Sequence, residues 1–176
     1  CIKDMKTIGV LHSNPTTKVV EIAVPVGVIA GIVPSTNPTS TVIYKAMIAL
    51  KARNAIALSP HPAAAKCTGM AIQLMNQAAV EAGAPENVIQ GITLSSMAAT
   101  NEIMYAPEVA MIIATGGPGM VKAAYSSGKP ALGVGAGNSP AYIERSANVH
   151  DAVRRILASK TFDYGTICAS EQSIIC

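Results

Sequence analysis

Aromatic and charged residues are scarce in this sequence. It has no tryptophan and one phenylalanine, aromatics make up 3% of its residues, and charged residues make up 13%. The formal net charge is +3, carried by basic residues that are scattered along the chain. Proteins that hold single-stranded nucleic acid combine a basic groove with stacked aromatic side chains. The composition supplies neither feature, so we expect no nucleic-acid partner.

Long apolar runs and paired cysteines are also missing. No run approaches the roughly 18–20 residues of a membrane helix, and the longest, residues 22–34, is broken by proline and glycine. No basic leader with a cleavage site is visible. The four cysteines follow no metal-ligand or disulfide spacing. We therefore expect no membrane partner, no bound metal and a cytoplasmic location, where thiols stay reduced. The cysteines are Cys1, Cys67, Cys168 and Cys176.

The two ends of the sequence are unusual. The chain starts without methionine, stops inside an apolar run, and is 50% hydrophobic over its 176 residues. A chain of this length can bury a core of its own, but that apolar fraction is high for a free-standing domain. We expect the sequence to be part of a longer protein that covers some of this surface.

From residue 24 onward, apolar runs alternate with segments of helical periodicity. The runs are residues 26–33, 55–58, 88–92, 109–114, 131–134 and 141–144. Helical segments begin near residues 38, 67, 118 and 151. This alternation predicts a parallel sheet that is covered by helices on both faces. Upstream, residues 7–11 and 18–23 flank a Ser-Asn-Pro-Thr turn and predict a β-hairpin.

Three loops follow strands of the predicted sheet, at residues 34–38, 115–119 and 165–168. Ligands of such sheets bind outside the carboxyl ends of the strands. The third loop contains Cys168, among small and polar residues after a Gly-Thr-Ile turn. A thiol reacts only where it is accessible and can ionise, which this loop favours, although single cysteines are more often small core residues. The sequence predicts that the three loops share one site.

The second of these loops, Thr115-Gly116-Gly117, joins a buried strand to a helix that begins near Pro118. Glycine allows a ligand to approach the backbone, and a helix N-terminus presents free N–H groups to phosphate. A tight turn without a ligand explains the glycines equally well. The run is not G-x-G-x-x-G, and no acidic residue follows within about twenty residues, which disfavours an orthodox Rossmann dehydrogenase.

Two further polar positions have alternative interpretations. Asn37 precedes a helix, so its side chain is either an N-cap, which the residues alone favour, or a donor to a developing oxyanion. Ser59, Pro60 and His61 follow a strand, and they either line a ligand pocket or form a proline-stiffened surface loop.

Three segments together resemble the aldehyde dehydrogenase superfamily, most closely its CoA-acylating branch. They are PVGVIAGIVPSTNPTS (residues 25–40), ATGGPGMVKAAYSSGKPALGVGAGNSP (114–140) and FDYGTICASEQS (162–173). The resemblance covers the chain from about residue 19. It implies an α/β fold with a Rossmann-type parallel sheet, an N-terminal hairpin for oligomerisation (1–23), a dinucleotide-binding domain (24–142) and the start of a catalytic domain (143–176).

The resemblance also implies the roles of individual residues. Cys168 is the nucleophile, and the Asn37 amide and the Cys168 backbone N–H form the oxyanion hole. The resemblance thus favours the oxyanion donor over the N-cap as the role of the Asn37 side chain. The hydrolytic members carry a lysine at the place of Ser59, and this departure is typical of the acylating branch. The implied cofactor-binding residues are Pro34, Ser35, Ser59, Pro60, His61, Thr115, Gly116, Gly117, Val134 and Gly135.

An absence within residues 131–139 bears on the reaction. Hydrolytic members carry a glutamate here that activates water, and anchoring on Ser139-Pro140 places that position at Val134. No residue of this segment is acidic. Water needs a general base at neutral pH, whereas the thiol of CoA ionises to a far better nucleophile. The missing acid favours transfer of the acyl group to CoA over hydrolysis.

The resemblance therefore implies reversible, NAD-dependent oxidation of a short-chain aldehyde, such as acetaldehyde, to acyl-CoA by a homo-oligomer. NADP is possible in place of NAD, and CoA is the co-substrate. Two alternatives stay open: a hydrolytic aldehyde dehydrogenase, and a noncatalytic module for dinucleotide binding or assembly.

Overall fold

The computed structural model describes residues 2–176, which divide into two compact units. The first unit ends at Val134, and the second comprises Gly135–Cys176. The first contains a hairpin and a parallel sheet with its helices, and the second contains a two-stranded sheet with one helix. The functional domain boundaries after residues 23 and 142 stay predictions.

An antiparallel hairpin stands at the start of the first unit, after a 3-10 turn at Ile2–Asp4. Strand β1 is Gly9–Asn14 and β2 is Val19–Ala23. The Asn14 side-chain oxygen accepts hydrogen bonds from the N–H groups of Thr16 and Thr17, at 3.0 and 3.1 Å. Asparagine favours turns because its side chain bonds nearby backbone in this way, and here it starts the reversal between the two strands.

Five parallel strands form the main sheet of the first unit. They are β3 (Val28–Val33), β4 (Ala55–Pro60), β5 (Ile89–Gly91), β6 (Val109–Thr115) and β7 (Ala131–Val134). Their order in space is β5-β4-β3-β6-β7, and every neighbouring pair is parallel. The sequence predicted each of these strands to within a few residues, and the predicted fold class is confirmed.

Helices cover both faces of this sheet. They are α1 (Pro38–Lys51), α2 (Ala65–Glu81), α3 (Met97–Tyr105) and α4 (Pro118–Tyr125), with a 3-10 turn at Pro62–Ala64. Successive residues of β3 point to opposite faces: Ile29 joins the apolar cluster of α1 and α2, and Ala30 joins that of α3 and α4. Each fully buried isoleucine or leucine contributes about 1.5–3 kcal/mol. The near-continuous apolar sequence of β3 follows from this two-sided burial.

Helix α3 is the one helix of the first unit that the apolar periodicity did not predict. It has nine residues, and unlike the eight-residue α4, which has Pro118 at its start and Gly128 shortly after its end, it lacks a proline in its first turn and a glycine after its last residue. Its signal is the N-cap residue, because the Ser96 hydroxyl oxygen accepts a hydrogen bond from the Ala99 N–H at 3.1 Å.

The second unit corrects one expectation about the sheet. The predicted run at residues 141–144 is strand β8 (Ser139–Tyr142), which pairs with β9 (Glu171–Ile175) in a separate parallel pair. Parallel neighbours need a crossover of a dozen or more residues, and the four residues between β7 and β8 are too few to form one. Helix α5 (Val149–Thr161) and a 3-10 turn (Phe162–Gly165) instead supply the crossover from β8 to β9.

Two kinds of feature are absent from residues 2–176. None of the helices there is long and apolar enough to cross a membrane. The same residues contain no group of three or more histidine, cysteine, aspartate or glutamate side chains placed to hold a metal ion.

A buried lysine bridges the neighbouring strands β3 and β6 of the main sheet. Lys45 on α1 is 1% exposed, and its amino group donates hydrogen bonds to the carbonyl oxygens of Ile32 on β3 and of Ile113 on β6, the second at 2.7 Å. A buried polar group is costly unless it is hydrogen-bonded, and these two acceptors satisfy the amine. Burial lowers the pKa of Lys45 from 10.5 to about 7, because desolvation disfavours the charged form.

The lowered pKa predicts a pH dependence of stability. From about pH 7 to about pH 10.5 the unfolded chain holds a proton on Lys45 that the folded chain has lost, so stability should rise with pH across this window. In the intact protein, Lys45→Met should remove that part of the rise. The measurement is the urea midpoint of wild type and variant at about pH 7 and about pH 9.5.

The matched control is Lys66→Met, which replaces an exposed lysine on α2. Its midpoints should follow those of the wild type. If the urea midpoint rose equally with pH in the wild type and in Lys45→Met, the assignment of this titration to Lys45 would be contradicted.

Candidate functional site

The strand order defines where a ligand meets the main sheet. After β3 the chain builds β4 and β5 on one side and then returns to build β6 and β7 on the other. Strands β3 and β6 are paired with Ile32 beside Ala114, so both end at the same edge of the sheet. In open α/β sheets the ligand site lies outside the carboxyl ends of the strands at such a reversal. The loops after Val33 and Thr115 flank this position.

A cavity of about 280 Å³ opens at this edge. Its volume is slightly below the roughly 300–1,000 Å³ of sites that hold drug-sized molecules, so it fits part of a dinucleotide rather than the whole. Seven of the residues expected at the cofactor site line it, together with seven others. The expected ones are Pro34, Ser59, Pro60, His61, Thr115, Gly116 and Gly117, and the others are Ile32, Val33, Pro62, Ser96, Met97, Thr100 and Met120.

The remaining expected residues lie elsewhere. Among the described residues, those that line the cavity do not include Ser35, Asn37 and Val134, which also belong to the first unit. Gly135 and Cys168 belong to the second unit. Val134 is nevertheless tied to the cavity wall, because its carbonyl oxygen accepts a hydrogen bond from the Gly116 N–H at 3.1 Å.

Gly117 leaves an open face at the start of α4. It is the N-cap residue, with φ −66° and ψ 165°, a conformation that any residue adopts. A Cβ built on Gly117 meets no atom within 4 Å. Neither backbone conformation nor packing among the described residues therefore requires glycine here. Close approach of a ligand to the backbone at a helix N-terminus is a physical reason for it, and it suits a phosphate group.

A chain of hydroxyl groups forms one wall of the cavity. Thr100 donates its hydroxyl hydrogen to the Ser96 carbonyl oxygen at 2.8 Å, and the Ser59 and Thr100 hydroxyl oxygens are 2.8 Å apart. Since Thr100 has only one hydrogen to donate, Ser59 is the donor in the second bond. Ser59, which is 1% exposed, therefore retains only lone pairs for a ligand. This wall would accept a hydrogen bond from a group such as a ribose hydroxyl.

His61 supplies a donor at the same edge. Its Nδ1 accepts a hydrogen bond from the Ala63 N–H at 3.2 Å and caps the 3-10 turn Pro62–Ala64. In the neutral ring the other nitrogen, Nε2, must then carry the hydrogen. The side chain is exposed, so this N–H is accessible. Of the two interpretations of residues 59–61, the pocket lining is the one that the cavity supports.

Asn37 occupies the N-cap position of α1, but its side chain makes no capping hydrogen bond. The Thr41 hydroxyl donates to the Asn37 backbone carbonyl at 2.8 Å, and the Thr36 hydroxyl donates to its Oδ1 at 3.3 Å. No hydrogen bond involves its Nδ2 among the described residues of the first unit. The capping interpretation, which the residues alone favoured, is therefore wrong for the side chain, and the amide N–H₂ is left to bind another group.

Cys168 lies in a tight turn of the second unit. The Ser170 N–H donates to the Ile167 carbonyl at 3.0 Å, and this bond closes the turn around the cysteine. The preceding Asp163, Tyr164 and Gly165 all have left-handed backbone angles, with φ of 50°, 53° and 68°. Cys168 is exposed and free, as are Cys67 and Cys176. Within the described second unit, its backbone N–H and its sulfur have no hydrogen-bond partner.

The chain is similar in sequence and in structure to known proteins of one family. A model of the aldehyde dehydrogenase family matches residues 2–176. The bifunctional aldehyde-alcohol dehydrogenase AdhE of Escherichia coli K12 is 56% identical over 173 residues, 98% of this chain. Those residues are 19% of that protein, so the chain spans about a fifth of the length of this curated relative.

Two solved structures extend these relationships. An acetylating aldehyde dehydrogenase from Geobacillus thermoglucosidasius has 63% identity and a TM-score of 0.92, over 98% of this chain and 38% of the other. A propionaldehyde dehydrogenase from Rhodopseudomonas palustris, with bound CoA and an acylated cysteine, has 40% identity and a TM-score of 0.80. The second match covers 86% of this chain and 34% of the other.

The open face of Gly117 predicts the effect of a side chain there. In the intact protein, Gly117→Val should raise the dissociation constant for the dinucleotide at least about tenfold, roughly 1.4 kcal/mol, because the side chain would occupy the space of the ligand. The urea midpoint should change little, since nothing in the protein lies within 4 Å of the new Cβ. NADH fluorescence titration measures the affinity.

Gly69→Val is the control, because Gly69 on α2 is equally open and lies outside the cavity lining. It should leave the affinity unchanged. An unaltered dissociation constant in Gly117→Val would remove this turn from the dinucleotide site.

Proposed function

The chain belongs to the aldehyde dehydrogenase family, and from that premise we propose that it forms the dinucleotide-binding part and the nucleophile loop of a CoA-acylating enzyme. The reaction is the reversible oxidation of a short-chain aldehyde, acetaldehyde in the first place, to acyl-CoA. The acetylating enzyme at 63% identity and the relative with bound CoA and an acylated cysteine support this reaction class.

Cys168 carries the chemistry in this proposal. Its exposed thiol, as thiolate, attacks the carbonyl carbon of the aldehyde and forms a thiohemiacetal. Loss of hydride from that carbon leaves a thioester on the cysteine sulfur. The sulfur of CoA then attacks the thioester, acyl-CoA leaves, and the Cys168 thiolate is restored. The turn closed by Ile167 and Ser170 supports the assignment, because it keeps the thiol accessible.

Two donors are assigned to the oxyanion that forms when the thiolate attacks. They are the side-chain amide of Asn37 and the backbone N–H of Cys168. Donors aimed at developing charge commonly contribute about 10²–10³-fold in rate each. The Asn37 amide makes no capping bond, and the Cys168 N–H has no partner within the described second unit. Both groups are therefore available for this role.

The dinucleotide, NAD or NADP, accepts the hydride when it is bound. The residues at the edge of the sheet fit such a ligand, because Gly117 leaves an open backbone face at a helix N-terminus and Ser59 offers lone pairs. We assign Thr115, Gly116 and Gly117 to its binding, with Pro34, Ser35, Ser59, Pro60 and His61 along the same edge, and Val134 and Gly135 next to the turn.

Val134 is the single observation that carries the choice between CoA and water. It stands where hydrolytic members of the family have a glutamate, its carbonyl bonds the Gly116 N–H, and it is 53% exposed. Valine has no proton acceptor, and residues 131–139 contain no acid. Without a general base, attack by water on the thioester is slow. Attack by the CoA sulfur does not depend on such a base to the same degree.

We also propose a homo-oligomer in a reducing compartment, the cytoplasm. Support for assembly comes from the hairpin of β1 and β2, which leaves the apolar side chains of Val10, Leu11, Val19, Val20 and Ile22 exposed. Support for the compartment comes from the free thiols of Cys67, Cys168 and Cys176.

The proposal predicts a separation of binding from turnover. In the intact protein, Cys168→Ala should lower the rate of NADH formation from acetaldehyde, NAD⁺ and CoA by at least roughly 10³-fold, as expected when a nucleophile is removed. NADH fluorescence titration should give an unchanged dissociation constant, because the residues that line the cavity all belong to the first unit.

Cys67→Ala and Cys176→Ala are the matched controls, since all three cysteines are exposed and free. Both variants should retain the wild-type rate. Turnover that survives in Cys168→Ala would show that the thiol is not the nucleophile and would favour a noncatalytic role for this loop.

A further inference from the structure

Gly137 lies directly against the backbone of the cysteine. A Cβ built on Gly137 would overlap the Cys168 carbonyl oxygen, and it would lie 2.8 Å from the carbonyl carbon and 3.3 Å from the Cα. Gly137 is absent from the residues with positive φ, so its backbone conformation does not demand glycine. The close approach of Cys168 is the physical reason for the missing side chain. Because the opposing atoms are backbone, no rotamer change can relieve the overlap.

The pairing of β8 with β9 explains why the two residues meet. Ser139 lies beside Glu171 in this parallel pair. The residues that precede Ser139 therefore run beside those that precede Glu171, which places Gly137 against Cys168. The bond between Ser170 and Ile167 closes the turn that contains the cysteine. The Cys168 backbone is thus held by its own turn and by its contact with Gly137.

We propose that Gly137 is a positioning residue for the nucleophile. This proposal rests on the proposed function, because it takes Cys168 as the group that attacks the aldehyde. The contact fixes the Cys168 backbone, and through it both the thiol and the N–H that is assigned to the oxyanion. A Cβ would force the two segments apart by about 1 Å, and a misplacement of that size costs on the order of 100-fold in rate.

Gly137 is distinct from the residues that hold the ligands. Glycine has no side chain, so replacing Gly137 removes no hydrogen-bond donor, acceptor or charge from the ligand site. A substitution there should therefore lower kcat and leave the KM values for NAD⁺ and CoA within about twofold. Loss of a binding contact would instead raise KM.

The test compares Gly137→Ala with Gly69→Ala in the intact protein. Gly69 meets no atom within 4 Å of a built Cβ, so the same substitution there adds a methyl group without a clash. We expect kcat to fall about 100-fold in Gly137→Ala and to stay at the wild-type value in Gly69→Ala. The dissociation constant for NADH should be the same in all three proteins, which also shows that the variant is folded.

A crystal structure of Gly137→Ala provides a second readout that does not depend on turnover. We expect the Cys168 backbone to move by about 1 Å while the rest of the second unit superimposes on the wild type. Unchanged kcat, an unmoved Cys168 or a Gly137→Ala protein that does not fold would each overturn the proposal. If the wild type shows no CoA-dependent turnover, the proposed function fails, and the crystal structures still decide the role of Gly137.

Discussion

The amino group of Lys45 is the interaction on which the geometry of the cavity depends most. It binds the carbonyl oxygens of Ile32 and Ile113, just before the points where β3 and β6 end. The loop that contains Pro34 continues from one of these strands, and the turn that contains Gly117 continues from the other. Together with the backbone pairing of β3 and β6, this buried amine therefore holds the starts of the two loops at the place where the strand order reverses and a ligand can enter.

The sequence was sufficient for the parts of the fold that depend on local pattern. Strands β3 to β7 are apolar runs between turn residues, and burial on both faces makes such runs easy to recognise. Helix α3 was not predicted because it has neither a proline in its first turn nor a glycine after its last residue, although Ser96 stands at its N-cap. The pairing of β8 with β9 depends on which strands meet after a long crossover, and no local pattern encodes that choice.

The residues of the candidate site likewise include some that were expected from the sequence and some that only the structure reveals. Seven of the residues that line the cavity were expected at the cofactor site, because they follow strands of the sheet and the family resemblance implies this role for them. Thr100 and Met120 belong to helices and reach the cavity only through packing. Lys45 reads as an ordinary helix lysine until its burial is known. The contact of Gly137 with Cys168 likewise exists only because of the register between β8 and β9.

The absence of an acid at Val134 and the exposed thiol of Cys168 lead to one central claim, that CoA rather than water takes the acyl group. The most direct test follows NADH formation from acetaldehyde and NAD⁺ by the intact protein, with and without CoA, and identifies the product. The account predicts sustained turnover only with CoA, and acetyl-CoA as the product. Steady turnover without CoA, with acetate as the product, would contradict it.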